Sequence, residues 1–391
     1  MIKLVKSTFY KEQETKKLLI NFISSSTKLS MGQECEKFEE NFSNYQGRKY
    51  TCFVNSGSSA NLLLLQSLLS LKRIKKNDNI AFSSLTWSTN VMPMIQLGLN
   101  PVAIDVSPTN LNITLDSLVN TYKNNPFKIL FITNLLGFCG DLDKIAAFCQ
   151  QENIILLEDN CESLGSELRG KKLGNFGLAS TSSFFVGHHL STIEGGAVST
   201  DDKDLYRILK ITRAHGWSRN IKNEEKTALA KENKIDKFYD NYSFYELGFN
   251  FRPTEISGFI GNCQISYLEE MVQKRISNFN ILYSASLKNN QILTLKVSHL
   301  SKVSNFAFPL VFRSKSSFNK YRELFEKNNV EIRPIVGGNI TQQPFYVSSF
   351  GNNNNMKNSE LIHSNGFYIP NNPELSEYEL KKLCDLIIFK I

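Results

Sequence analysis

The stretch "YTCFVNSGSSANLLLLQSLLSL", residues 50–71, decides the fold. Its first five residues are apolar or β-prone, which predicts a short buried strand. The leucine-rich second half is long enough for a helix, and the small polar residues between the two halves predict a tight turn. A strand that leads through such a turn into a helix is the first half of a βαβ unit, and repeated units of this kind build a parallel sheet covered by helices.

The same alternation of strand and helix patterns continues to about residue 160. The strand-like runs are "NIAFSS", "PVAIDV", "FKILFITN" and "NIILLED", with helix-like segments such as "TLDSLVNTYKNN" between them. After about residue 250 a long helical stretch leads into "FAFPLVF" and further helices. The patterns predict an α/β protein with an N-terminal segment and a large, mainly parallel domain over residues 1–250, followed by a linking helix and a smaller C-terminal α/β domain over residues 251–391.

Composition narrows the class of function. Of the 391 residues, 41% are hydrophobic and 21% are charged, which is ordinary for a globular protein. No apolar run reaches the length of a membrane helix, so we expect neither a signal peptide nor a membrane partner. The net charge of +8 favours a small anionic substrate. The densest charged run, residues 222–237, mixes both signs, so we expect no nucleic-acid partner.

The seven cysteines are scattered along the chain, with no CxxC or CxC spacing. An odd and unpatterned set is typical of reduced thiols, so we expect a cytoplasmic protein. The same spacing argues against zinc and against an iron–sulfur cluster.

Polar and aromatic residues follow the ends of the predicted strands. Because open parallel sheets bind ligands at the carboxyl ends of their strands, these residues could converge. The turn "NSGSSAN" could bind an anion at a helix N-terminus or only cap the helix. Asp159 could pair with a cationic ring nitrogen or cap the next helix. Trp87 could stack on a flat ring or belong to the core.

The segment "SSFFVGHHLSTIEGGAV", residues 182–198, contains two of the five histidines. Neighbours in a strand point to opposite faces, so we expect at most one of His188 and His189 to face a given site. A histidine is a natural general base near neutral pH, with a surface or core histidine as the alternative. The pair and Glu194 show no HxxxH or HxH spacing, so we expect no metal.

Together the motifs resemble a known family. The motifs are "NSGSSANLLLL", "TWSTN", "LLEDNCESLGS", "GNFGLASTSSFF", "EGGAVSTDD" and "GFNFRPTEISGFIG". Their order and approximate spacing are similar to those of the pyridoxal-phosphate sugar aminotransferases of the DegT/DnrJ/EryC1/StrS family. The resemblance implies an aspartate-aminotransferase-like fold (PLP fold type I), with a large domain built on a mixed, mostly parallel sheet and a smaller C-terminal α/β domain. It also implies an active site at a homodimer interface.

One position departs from the aminotransferase pattern. The family reads Ser-Phe-Phe-x-x-Lys, and its lysine binds the cofactor covalently, whereas His188 stands at the lysine position here. No lysine lies between Lys172 and Lys203. The chain therefore resembles the sugar 3-dehydratase branch of the family, and it lacks the cysteine spacing of the related iron–sulfur dehydratases.

This branch implies a lyase that uses pyridoxal 5'-phosphate and pyridoxamine 5'-phosphate. L-glutamate would supply the amino group. A nucleotide 4-keto-6-deoxy sugar, by resemblance GDP-4-keto-6-deoxy-D-mannose, would lose its 3-hydroxyl to give a 4-keto-3,6-dideoxy sugar. His188 would act as the base. The alternatives are a nucleotide-sugar aminotransferase with a displaced lysine and a non-enzymatic regulatory relative.

The resemblance also implies the contacts of the cofactor phosphate. The backbone N–H groups of Gly57 and Ser58 and the hydroxyl of Ser183 would bind the phosphate, and Asn250 would reach it from the partner subunit. Trp87 would stack on the pyridine ring.

The resemblance implies roles for four further residues, two at the cofactor ring and two at the substrate. Asp159 would keep the ring nitrogen protonated, and Glu162 would lie near the ring hydroxyl. Arg219 and Arg333 would bind the substrate diphosphate or the glutamate carboxylate, with surface ion pairs as the alternative.

Overall fold

The structure, a computed structural model, describes residues 1–389. The helices of this part of the chain are α1 Glu12–Ser25, α2 Gln33–Gln46, α3 Gly57–Ser70, α4 Met92–Gln96, α5 Leu115–Asn124, α6 Leu142–Gln151, α7 Lys203–Arg213, α8 Asn223–Glu232, α9 Glu255–Ile265, α10 Leu268–Ser286, α11 Lys315–Lys327, α12 Pro344–Phe350, α13 Lys357–Asn365 and α14 Glu377–Ile388. Its strands are β1 Tyr50–Val54, β2 Asn79–Ser83, β3 Asn100–Ile104, β4 Ile129–Thr133, β5 Ile155–Asp159, β6 Glu167–Leu168, β7 Lys171–Lys172, β8 Ala179–Ser183, β9 Gly196–Thr200, β10 Leu300–Lys302, β11 Ala307–Val311, β12 Arg333–Pro334 and β13 Gly366–Pro370. None of these helices combines the length and the apolar character needed to cross a membrane.

A seven-stranded sheet forms the centre of the large domain, with the order β1-β9-β8-β5-β4-β2-β3. Strands β3, β2, β4, β5 and β8 pair in parallel, and β9 pairs antiparallel with both β8 and β1. The predicted mixed, mostly parallel sheet is confirmed. Because parallel strands end at a common edge, the residues that follow β2, β4, β5 and β8 lie close together.

Apolar burial and one cap explain the opening strand and helix. Four of the five residues of β1 are buried, and the leucines of α3 pack into the same core cluster as the apolar side chains of the sheet. Ser56 is the N-cap of α3, and its side chain accepts the backbone N–H of Ser59. The small polar turn predicted between strand and helix is therefore a helix cap whose first turn faces the carboxyl edge of the sheet.

The smaller domain contains the antiparallel sheet β11-β13-β12. Helix α10 runs for 19 residues and packs against α14. The first residues of the chain also contact this domain, since the Ile2 N–H donates to the Asn329 carbonyl at 2.8 Å and the Leu4 N–H donates to the Glu331 carboxylate at 2.9 Å. A domain boundary at residue 250 stays a prediction.

A buried ion pair braces β1 just before it leads into α3. The Arg213 Nη1 lies 2.5 Å from Glu39 Oε1, and the two side chains are only 3% and 9% exposed. The same nitrogen donates to the Phe53 carbonyl at 2.6 Å, and Glu39 accepts the Phe53 N–H at 2.8 Å. Because β1 is an edge strand, these outward backbone groups need partners outside the sheet. Glu39 accepts the N–H of Phe53 and Arg213 donates to its carbonyl, so the ion pair joins α2, α7 and β1.

Replacing Arg213 with methionine should lower the free energy of unfolding by roughly 3–5 kcal/mol, because Glu39 would keep a buried charge without its partner. Urea unfolding followed by circular dichroism measures the change. Lys327→Met is the matched control, since Lys327 pairs with Glu323 through side chains that are 77% and 66% exposed. We expect that control to lose less than about 1 kcal/mol. Equal losses in the two variants would contradict the bracing role.

Candidate active site

A cavity of about 470 Å³ lies where the carboxyl ends of the strands meet the smaller domain. Residues that follow β1, β2, β4, β5 and β8 form one side, and Phe306, Arg333 and Tyr368 contribute to the other. The predicted site residues that line it are Gly57, Ser58, Trp87, Asp159, Glu162, Ser183, His188 and Arg333. The sheet thus brings together side chains from strand ends that are distant in sequence.

The start of α3 and the end of β8 form a polar cradle at one end of the cavity. The first N–H groups of a helix have no partner within the helix and attract anions. A Cβ atom at Gly57 would lie only 2.7 Å from the Cβ of Ser183, and one at Gly196 would lie 2.5 Å from the Gly57 nitrogen. Glycine at both positions lets the start of α3, the end of β8 and the start of β9 approach one another closely. The resulting concave group of N–H donors and a hydroxyl fits a phosphate.

Asp159 lies at the end of β5 and is 5% exposed. Its Oδ2 accepts hydrogen bonds from the side-chain amides of Asn61 at 3.0 Å and Asn90 at 2.9 Å, and its Oδ1 accepts the Cys161 N–H at 3.0 Å. No helix follows it before β6, so it is not a helix cap. No cation pairs with it within residues 1–389. An oriented, buried carboxylate of this kind fits a protonated ring nitrogen.

Glu162 lies beside Asp159 in the cavity wall. Its Oε2 accepts the Leu136 N–H at 2.9 Å. Burial raises the pKa of Glu162 to about 8, because the loss of hydration of the carboxylate outweighs the stabilising hydrogen bond from Leu136, and the negative charge of Asp159 raises it further. At neutral pH this carboxyl group is therefore mostly protonated and can donate a hydrogen bond.

The two histidines lie in the turn between β8 and β9, not in a strand. Only one of the two nevertheless faces the cavity. His188 lines it, whereas His189 is buried with its Nε2 bonded to the Ser304 carbonyl at 2.9 Å. The turn, rather than strand alternation, separates the two rings.

The environment of His188 keeps its imidazole neutral. Its ring packs edge-on against Phe306, with centroids 5.6 Å apart. Burial lowers the pKa of His188 to about 4, and Asp159 opposes this only in part. Its Nδ1 is buried and has no hydrogen-bond partner within the described residues. A neutral imidazole in this position can accept a proton.

Trp87 and Arg333 lie at the mouth of the cavity. Trp87 is 54% exposed and lines the wall, so it is not a core residue. Arg333 forms an ion pair with Glu331 at 2.7 Å, yet it also lines the cavity. Arg333 therefore forms the surface ion pair that was its alternative interpretation, and it also lies where a bound ligand could reach it.

Asn250 and Arg219 lie away from this cavity. Asn250 is exposed, and its Oδ1 accepts a hydrogen bond from Arg252 Nε at 2.9 Å. The Arg219 guanidinium lies 3.9 Å from the ring centroid of Trp217 and 4.6 Å from that of Tyr242. Within one subunit, neither residue belongs to the site.

Sequence reasoning missed the residues that support the site. Asn61 is 1% exposed and Asn90 is fully buried. Each is the last polar residue of a quoted motif, "NSGSSAN" or "TWSTN", directly before an apolar run, and this was the only signal that could have identified it. Arg275, in the middle of α10, is 3% exposed and carried no signal of this kind.

Within residues 1–389, no lysine lines the cavity. The phosphate cradle, the buried carboxylate and the neutral imidazole fit a pyridoxamine or pyridoxal phosphate that is held without a covalent bond. The roles of the individual residues stay predictions.

Comparison with known proteins agrees with this geometry. The DegT/DnrJ/EryC1/StrS aminotransferase family matches residues 10–388. GDP-4-keto-6-deoxy-D-mannose 3-dehydratase of Yersinia pseudotuberculosis is 35% identical over 376 residues, which are 94% of each chain. The solved structure of GDP-4-keto-6-deoxy-D-mannose-3-dehydratase of E. coli with bound hydrated PLP superposes with a TM-score of 0.88 at 31% identity and covers 99% of both chains.

A second solved structure, GDP-4-keto-6-deoxymannose-3-dehydratase with a trapped PLP-glutamate geminal diamine, gives a TM-score of 0.89 at 30% identity. It covers 99% of this chain and 100% of the other. The predicted aminotransferase-type fold is confirmed. The chain belongs to the DegT/DnrJ/EryC1/StrS aminotransferase family.

Proposed function

We propose that this protein is a 3-dehydratase that depends on pyridoxal 5'-phosphate, pyridoxamine 5'-phosphate and L-glutamate. Its proposed substrate is GDP-4-keto-6-deoxy-D-mannose, which loses its 3-hydroxyl to give the 4-keto-3,6-dideoxy sugar. One observation carries the proposal: His188, at the position of the family lysine, lines a cavity to which the described part of the chain contributes no lysine. Relatives that share most of their length with this chain are named as enzymes of this reaction.

When bound, pyridoxamine phosphate supplies the amine that joins the keto carbon and a conjugated ring that accepts electrons. The N–H groups of Gly57 and Ser58 and the Ser183 hydroxyl would hold the phosphate. Asp159 would keep the ring nitrogen protonated, and Trp87 would cover the face of the ring. The protonated carboxyl of Glu162 can donate a hydrogen bond to the ring hydroxyl.

His188 would move the proton in this reaction. Its low pKa leaves a ring nitrogen free to accept a proton, and the resulting imidazolium can return that proton to the departing hydroxyl. A lysine at this position could displace the sugar and release an aminated product. Imidazole moves protons without making that exchange, which favours dehydration over transamination.

The proposal includes a homodimer with shared sites. Asn250 is exposed and lies outside its own cavity, so a role at the phosphate requires the site of a second subunit. Large apolar side chains near Asn250 are exposed and support a protein partner there, namely Phe238, Tyr242, Phe244 and Leu247. Arg219 would bind substrate in the partner's site, and Arg333 in its own. Because nucleotide sugars and glutamate are cytoplasmic metabolites, we place the enzyme in the cytoplasm.

Incubation with pyridoxal phosphate, L-glutamate and GDP-4-keto-6-deoxy-D-mannose should give a product that has lost one oxygen, together with free ammonia. Mass spectrometry and an ammonia assay measure both. The His188→Asn variant should be slower by roughly 10²–10⁴-fold, the usual value of a general base.

His363→Asn is the control, since His363 is exposed on α13. It should retain wild-type turnover. Nitrogen retained on the sugar would assign the chain to the aminotransferases instead, and wild-type dehydration by His188→Asn would refute the role of the imidazole.

Cofactor attachment gives an independent test. Borohydride treatment of the protein loaded with pyridoxal phosphate, followed by denaturation, should leave no cofactor on the wild-type chain, because no lysine of residues 1–389 lies in the cavity wall. In the His188→Lys variant, peptide mapping should find the cofactor attached at position 188. Covalent cofactor on the wild-type chain would show that a lysine reaches the site.

Mixed dimers test the shared site. Asn250→Ala and His188→Asn chains, unfolded and refolded together, should regain about one quarter of wild-type activity, because half of the dimers are mixed and one site in each is intact. A mixture of Asp159→Asn with His188→Asn is the control and should regain none, since both residues line one cavity. Equal results from the two mixtures would place Asn250 in its own subunit's site.

A further inference from the structure

We propose that Arg275 is a positioning residue for His188, fixing the imidazole against the smaller domain. Arg275 lies in the middle of α10 and is 3% exposed. The inference rests on the proposed function, because it concerns the residue assigned as the base.

Arg275 is unusual because its buried guanidinium has no carboxylate partner within residues 1–389. Burying an unpaired positive charge is costly, so such residues are rare in cores. Burial lowers the pKa of Arg275 to about 9, which still leaves it charged at neutral pH. The chain retains a charge here that core packing alone does not require.

Backbone carbonyls take the place of the missing carboxylate. The Nη1 donates to the Phe306 carbonyl at 3.0 Å and to the Asn371 carbonyl at 2.5 Å, and the Nη2 reaches the His188 carbonyl at 3.5 Å. Asn371 donates in return to the Arg275 carbonyl at 3.1 Å. One planar group therefore joins the loop of His188, the segment before β11 and the end of β13.

This arrangement fixes the His188 ring from two directions. The guanidinium holds the His188 backbone, and it holds Phe306, whose ring packs edge-on against the imidazole at 5.6 Å. The neighbouring His189 adds a third attachment through the Ser304 carbonyl. The loop is thus bound to the smaller domain at His188 and at the next residue, His189.

The charge of Arg275 also acts on His188. The titratable and charged side chains that face the His188 ring or share its cavity and loop are Asp159, Cys161, Glu162, His189, Glu194, Arg275, Arg333 and Tyr368. Among the charged groups, Asp159 raises the pKa of His188 and Arg275 lowers it. A cation beside the loop disfavours the imidazolium, so it helps burial to keep the base unprotonated.

Histidine Cε1–Hε1 NMR spectra test this without relying on activity. In wild type, with and without pyridoxamine phosphate, the His188 signal, assigned by its loss in His188→Asn, should stay at its neutral position down to about pH 5. In Arg275→Met the signal should begin to shift towards the protonated position at a higher pH than in wild type, because the opposing cation is gone. In the same variant kcat should fall by roughly 10–100-fold with little change in KM.

Arg48→Met is the matched control, because Arg48 is also buried and binds the Gly174 and Gly177 carbonyls, both at 2.8 Å. It should leave the His188 titration and kcat as in wild type. Equal titration curves and equal kcat in Arg275→Met and Arg48→Met would overturn the proposal.

The Arg275→Lys variant separates the effect of the charge from that of the hydrogen-bond geometry. It also provides the test if Arg275→Met does not fold. Lysine keeps the cation, but its single ammonium cannot occupy the positions of both Nη1, which binds the Phe306 carbonyl, and Nη2, which faces the His188 carbonyl. The titration should stay near wild type while kcat falls at least tenfold, and an unchanged kcat would refute the positioning role. The titration does not depend on which reaction the enzyme catalyses, so the failure of the proposed function would be seen separately, in the product assay.

Discussion

The active site is built around the contact between the end of β8 and the start of α3. Glycine at positions 57 and 196 removes the Cβ atoms that would otherwise overlap Ser183 and the helix start. The unpaired N–H groups of the helix therefore lie beside a serine hydroxyl, and they create a binding place for an anion. From this contact the cavity extends along the carboxyl edge of the sheet to Asp159 and His188.

Burial sets the protonation states of two residues of the cavity. Glu162 and His188 both lose hydration, which disfavours charge on each of them, so the acid is mostly protonated at neutral pH and the imidazole is neutral. Asp159 is buried beside them, and three N–H donors bind its two carboxyl oxygens. One cavity thus combines a neutral acid and a neutral imidazole, groups that can donate and accept a proton.

The smaller domain completes this site instead of only flanking it. Phe306, Arg333 and Tyr368 line the cavity, and the segment before β11 supports both histidines. Arg275 bonds to that segment and to the loop of His188, so one side chain joins the smaller domain to the loop that carries this imidazole. The bond to the His188 carbonyl is the longest of its three contacts.

The sequence alone determined the features that depend on local order. Alternating apolar runs and turns predict strands and helices, since each pattern arises between residues a few positions apart. Strand ends of a parallel sheet share an edge, so the sequence also indicated that Asp159, Ser183 and His188 converge. A histidine at the lysine position was visible directly. Only the tertiary structure decided which imidazole faces the cavity, because both histidines lie in a turn without a regular alternation of sides.

The partners of the site residues were likewise decided by tertiary structure. Asn61 and Asn90 bond to Asp159 across 98 and 69 positions of the chain, and Arg275 meets His188 across 87. Contacts over such separations leave no periodic signal, because they arise from how the helices pack on the sheet. Asn250 lies outside its own cavity, so any role for it depends on a level of structure above the single chain.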